Sequence, residues 1–128
     1  MVSKINLIKV FLLIWLAGAI IAFILHFFYP NFVSDLSFWT ISIGWQKEIA
    51  LWNLAMILII VTVLIKKDYK ISRFVVLILA LISLLLGINH LFELIINNKI
   101  VIINLLGAVL NLIMTVWGGF ILKNEKYN

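Results

Sequence analysis

The chain has no cysteine, one proline and only five acidic residues among 128. Without cysteine there is no disulfide, no thiolate nucleophile and no Cys-ligated zinc or iron–sulfur cluster. The redox compartment therefore leaves no mark on the sequence. Charged residues make up 12% of the chain, against about a quarter in soluble domains. A P-loop, a dinucleotide fingerprint and a Ser-His-Asp arrangement are also missing. Ser83 lies seven residues before His90, about two helical turns away and out of direct reach. No low-complexity segment separates domains.

In place of these, 66% of the residues are hydrophobic. A chain this short exposes much of its surface and cannot hide that much apolar area from water. A soluble enzyme, a disordered tail and a conventional nucleic-acid-binding domain are excluded. The net charge of +5 would suggest nucleic acid in a soluble chain. Here the basic residues flank apolar runs, as in membrane proteins. Nine of the ten basic residues are Lys, and Ile and Asn are abundant. That bias suggests an AT-rich bacterial or archaeal genome.

Four apolar runs are each near the ~20 residues that a bilayer-spanning helix needs. They are Val10–Phe28, Ile49–Ile65, Phe74–Ile96 and Ile100–Leu122. Tyr29-Pro30, Lys66-Lys67-Asp68, Asn97-Asn98-Lys99 and Lys123 stop them. With their flanks they predict helices over about 8–28, 42–66, 72–96 and 100–122. Short turns between the second, third and fourth runs favour antiparallel neighbours, so the expected fold is an all-α, integral-membrane, up-down four-helix bundle in a single domain, 1–128. A β-barrel would need short alternating segments, which these runs are not. Lys4, Lys9 and Ala17-Gly18-Ala19 resemble a signal peptide, but the apolar run continues to Phe28 and reads as an uncleaved anchor.

Lys and Arg are distributed unevenly between the two sides. Lys4, Lys9, Lys66, Lys67, Lys70, Arg73, Lys123 and Lys126 share one side, while Lys47 and Lys99 share the other. The positive-inside rule then places both termini in the cytoplasm of a multi-pass cell-membrane protein. The longest connection, Tyr29 to Lys47, faces outward and carries Phe32, Phe38, Trp39 and Trp45. It reads as an interfacial aromatic belt, or as a lid over a cavity. Ser37 or Ser42 is placed to cap the second long helix.

Polar side chains inside hydrocarbon are costly and therefore informative. The first run carries a face of Trp15, Gly18, Ala22 and His26. The second opens with Trp45, Gln46, Glu48, Trp52 and Asn53, and Trp45, Glu48 and Trp52 share a face. The third carries Ser83, Gly87, His90 and Glu93, with Asn89 nearby. The fourth has a stripe of Asn104, Gly107, Asn111, Thr115 and Gly118. At about 1.5 Å rise per residue, His26, Glu48, Asn53, His90, Glu93 and Asn104 all fall in the outer half. This predicts a polar chamber opening outward, above an inner half sealed by Leu, Ile and Val. Gly18, Gly107, Gly118 and Gly119 read as packing sites, within one chain or in a homo-oligomer, and the Asn residues as cross-helix hydrogen-bonders.

Three chemistries fit such a chamber. His90, Glu93 and His26 could share a metal, since His90-x-x-Glu93 puts two ligands on one helix face. Two His on different helices could clamp a haem. Glu48 and Glu93 could hold a proton, although no nucleophile stands beside them and an enzyme is not indicated. The reading that best unites the residues is binding of a small amphipathic ligand, a lipid or quinone headgroup. Its site would comprise Glu48, Asn53, His90, Glu93, His26, Asn104 and Asn111, with Trp45 and Trp52 as walls. A structural or accessory subunit without a ligand is the alternative. A small dimeric transporter is disfavoured because the midplane lacks an ionisable residue. No sequence feature names a cofactor, and the bilayer is the one partner the composition requires.

Two segments carry a resemblance. Glu48-Ile49-Ala50-Leu51-Trp52-Asn53-Leu54-Ala55-Met56-Ile57 resembles the Glu-Leu-Gly-x-x-Asn-Leu-x-x-Gly motif of small bacterial membrane proteins broadly similar to the DoxX-like four-helix family. Gly87-Ile88-Asn89-His90 resembles their Gly-x-x-His. Ala50 and Ile57 depart from the two motif glycines, and the likeness covers about the middle half of the chain. The resemblance implies that Glu48, Asn53 and His90 matter, and it associates the chain with quinone-linked oxidation or redox homeostasis without naming a reaction.

Overall fold

Each of the four apolar runs forms a long helix in a computed structural model, which describes residues 4–38, 42–98 and 100–124, with side chains from residue 7 onward. The helices are α1 (Lys4–Phe28), α2 (Pro30–Asp35), α3 (Ile43–Lys66), α4 (Tyr69–Asn97) and α5 (Ile102–Asn124). The described residues contain no strand. The four long helices are long and apolar enough to cross a membrane, and the protein is an integral membrane helical bundle.

Local chemistry sets the helix ends. Ser42 caps α3 by accepting a hydrogen bond from the Trp45 amide at 3.5 Å. Asp68 caps α4 through the Ile71 amide at 3.0 Å, which starts that helix three residues before the expected boundary. Lys67 and Asn98 end α3 and α4 in the left-handed region, at φ 54 and 47. Asn tolerates that region, whereas Lys carries the full Cβ penalty. Pro30 starts α2, a single extra turn-and-a-half inside the connection that the sequence presents as a loop. The ring locks the φ that a helix's first residue needs and gives up an amide that has no partner there. Val33 and Ser34 of α2 are buried.

The helices pack as two pairs, α1 against α3 and α4 against α5, with fewer contacts between the pairs. The two-residue turn Lys67-Asp68 joins α3 to α4, yet these two helices touch little. A short turn fixes direction but does not make its helices the tightest partners. The core lies toward the end that holds the start of α1 and the end of α5. Phe11, Leu12, Ile60, Val76, Leu79 and Ile121 are fully buried there. Phe11 meets Trp117 edge-on, with centroids 5.6 Å apart. Arg73 Nη2 donates to the Leu122 carbonyl at 2.8 Å, satisfying one of the acceptors that a helix C-terminus leaves open. One side-chain bond joins the pairs midway: Trp15 Nε1 donates to the buried Ser83 hydroxyl at 3.0 Å.

Close approach within the α4–α5 pair depends on three glycines. A Cβ on Gly118 would lie 2.7 Å from the Ala80 Cβ, and one on Gly87 would lie 3.2 Å from Leu112. One on Gly107 would lie 2.5 Å from His90 Nε2. Gly18 and Gly119 have nothing within 4 Å of the same position, so the expectation that they are packing sites does not hold within the chain. Phe32 and Trp45 are exposed, as an interfacial belt requires. Trp39, Lys99 and Lys126, together with the Lys4 side chain, lie outside the described residues.

Candidate functional site

The polar residues expected in one chamber gather toward the end of the bundle away from the main core, and they divide between the two helix pairs. In the first pair, the His26 ring, near the end of α1, is hydrogen-bonded through Nδ1 to Gln46 Oε1. Gln46 is 2% exposed. Its face of α3 continues through Ala50, Ile60 and Val63, all buried. That phase turns Trp45 (63% exposed), Trp52 (71% exposed) and Glu48 outward from the bundle. These three therefore do not wall an interior chamber within one chain. Gln46 is the interior residue of this turn. The sequence hides it among more conspicuous neighbours, and only the Gln46–Ala50–Asn53 spacing, traced on to Ile60 and Val63, signals it.

The second group lies in the α4–α5 seam. The His90 ring rests on Gly107, where the missing side chain makes its space. One turn further along α4, Glu93 is half-buried and accepts a hydrogen bond from Asn97 Nδ2 at 3.1 Å. One turn earlier on α5, Asn104 is completely buried. The antiparallel register set by His90–Gly107 puts Glu93 and Asn104 at one level of the seam. Both polar atoms of the Asn104 side chain, Nδ2 and Oδ1, are buried without a hydrogen-bond partner among the described residues. Leaving a buried amide unmatched costs roughly 1–3 kcal/mol on mutational scales, and the cost rises where water is excluded.

The other amides are satisfied locally. Asn53 Nδ2 donates to the Ile49 carbonyl at 2.9 Å and Asn111 Nδ2 to the Gly107 carbonyl at 2.8 Å, each one turn back on its own helix. Asn89 is exposed. For Asn53 and Asn111 the expected cross-helix bonds are thus replaced by bonds to the i−4 carbonyl, an acceptor that a short polar side chain on a helix can reach. Thr115 does both, donating to Asn111 O at 2.9 Å and reaching Ala80 O at 3.4 Å.

As for metals, no three His, Asp or Glu side chains come together among the described residues. His26 belongs to the α1–α3 pair, while His90 and Glu93 belong to the α4–α5 seam. What the seam offers is an amide with donors and an acceptor, an imidazole and a carboxylate, in about a turn and a half of two facing helices. This set suits hydrogen bonding to a small polar group.

No family model matches the sequence, and searches of curated proteins and of solved structures likewise found no match.

Proposed function

We propose that the protein binds the polar head of a small amphipathic molecule, a lipid or quinone, in the α4–α5 seam through Asn104, His90 and Glu93. One observation carries this reading: the fully buried Asn104 amide, whose donors and acceptor are unmatched among the described residues. A hydroxyl or carbonyl on the ligand would supply the missing partner. The DoxX-like resemblance supports the same residue, His90, and the quinone class, and membership of that family is part of the proposal. Glu48, Trp45 and Trp52 face outward from α3, in the other helix pair, and take no part in this site. The excess of Lys and Arg at the end holding both termini supports a cytoplasmic location for that end and an outward-facing seam.

A structural role for the polar residues is favoured by the self-satisfied Asn53, Asn111 and Thr62, which bond within their own helices. The two readings separate in native mass spectrometry of protein extracted in mild detergent. A bound lipid or quinone in the wild type that is lost in both His90→Ala and Asn104→Leu supports binding. A bare protein mass in the wild type, with Asn104→Leu more stable for shedding an unmatched amide, overturns it in favour of the structural role.

A further inference from the structure

We infer that the opposite end of the bundle holds a separate site for an anionic phospholipid, in a cleft of about 370 Å³ between α1, the end of α3 and the start of α4. The cleft has an apolar floor of Ile8, Leu12, Val63 and Leu64 and a rim bearing Lys9 and Lys67. Lys9 is the last charge before the apolar run that opens at Val10, and Lys67 lies two residues after the run that ends at Ile65. The rim is therefore at the level where headgroups meet hydrocarbon. Tyr69, also on the rim, is a residue type that favours this depth. Two ammonium groups above an apolar floor complement one molecule in particular: a phosphate diester carrying acyl chains. Basic pockets between transmembrane helices take such headgroups.

The surroundings favour an anion. Lys66, Lys70 and Arg73 lie within a few residues of the rim, and among the described residues they outnumber the nearby acid Asp68, whose Oδ1 accepts the Ile71 amide at 3.0 Å in capping α4. The Ser72 hydroxyl is engaged with the Asp68 carbonyl at 2.6 Å, which leaves the charge recognition to the lysines. Lys67 also holds a left-handed backbone, φ 54, which Gly or Asn adopts at lower cost. A lysine in that place brings a charge to the rim at the expense of backbone ease.

The test uses the full-length protein in vesicles of phosphatidylcholine doped with phosphatidylglycerol, extracted in mild detergent and weighed by native mass spectrometry. Phosphatidylglycerol is expected to be retained over phosphatidylcholine. Lys9→Gln and Lys67→Asn each lower that retention about fivefold, and the pair about 25-fold, at the strength typical of interfacial lysines. Both positions are exposed, and Asn accepts the left-handed backbone, so the variants keep their fold. Lys47→Gln, at the other end, changes nothing, and an excess of inorganic phosphate does not displace the lipid. Equal retention of the two lipids overturns the inference, as does retention indifferent to Lys9 and Lys67. Displacement by inorganic phosphate also overturns it and assigns the cleft to free anions. Neither lysine touches the seam of Asn104 and His90, so this site and that one fail independently.

Discussion

The contact between His90 and Gly107 gives a test whose sign reverses. Alanine in a helix interior is favoured over glycine by up to about 1 kcal/mol. At Gly107 the added methyl would meet the His90 ring at 2.5 Å, and overpacking of this kind costs about 1–3 kcal/mol. Gly107→Ala is therefore expected to destabilise the protein in detergent unfolding and to lower ligand retention. In a His90→Ala background the obstacle is gone, and the same change should stabilise. A loss of similar size in both backgrounds would show that the ring is not what fills the space. Ser83→Ala tests the bond between the helix pairs. It leaves the Trp15 indole N–H without its acceptor, with an expected loss of about 1 kcal/mol. Unchanged stability would mean that the pairs are held by packing alone.

For the helices, the question is which faces meet. Gly118 faces Ala80, whose Cβ is fixed by backbone and cannot swing aside. Gly118→Ala should force α4 and α5 apart and cost more than Gly107→Ala, while Gly18→Ala, with open space around it, should be neutral or stabilising. Equal effects at Gly18 and Gly118 in thermal unfolding would contradict the pairing. The sequence made the helices legible because apolar runs and charged stops are set by the bilayer, not by partners. Ser42 as a cap was legible from local hydrogen-bonding chemistry, and the common end of the bundle that His26, His90 and Asn104 share was legible from their places along antiparallel helices. The rotation of α3 was not. Trp45 and Glu48 draw the eye, but burial follows Gln46, and only the partner helix decides which side of α3 is inside. Nor did the small-residue stripe of α1 say what it would meet, since a glycine permits close approach without supplying a neighbour. Asn53 and Asn111 misled in another way, because each bonds a carbonyl of its own helix.

Across the whole molecule, the uneven distribution of Lys and Arg predicts orientation, and the absence of cysteine makes the check clean. Single cysteines at Lys47 and Lys70, both exposed, should separate in intact cells. A membrane-impermeant maleimide should label Lys47→Cys from outside and reach Lys70→Cys only after permeabilisation. The opposite pattern would invert the bundle, along with the assignment of the seam to the outer face and of the lysine-rimmed cleft to the cytoplasmic leaflet. The paired packing also has a bearing on how the protein comes to exist. The main partners of α1 and α3 are each other, both complete by Lys66, and chains assemble from the N-terminal side as they are synthesised. The first pair has its mutual contacts to hand before the ribosome has reached α4. Biogenesis can thus proceed in halves, the α4–α5 pair arriving to close the shared core over Phe11, with the Trp15 indole already waiting for Ser83.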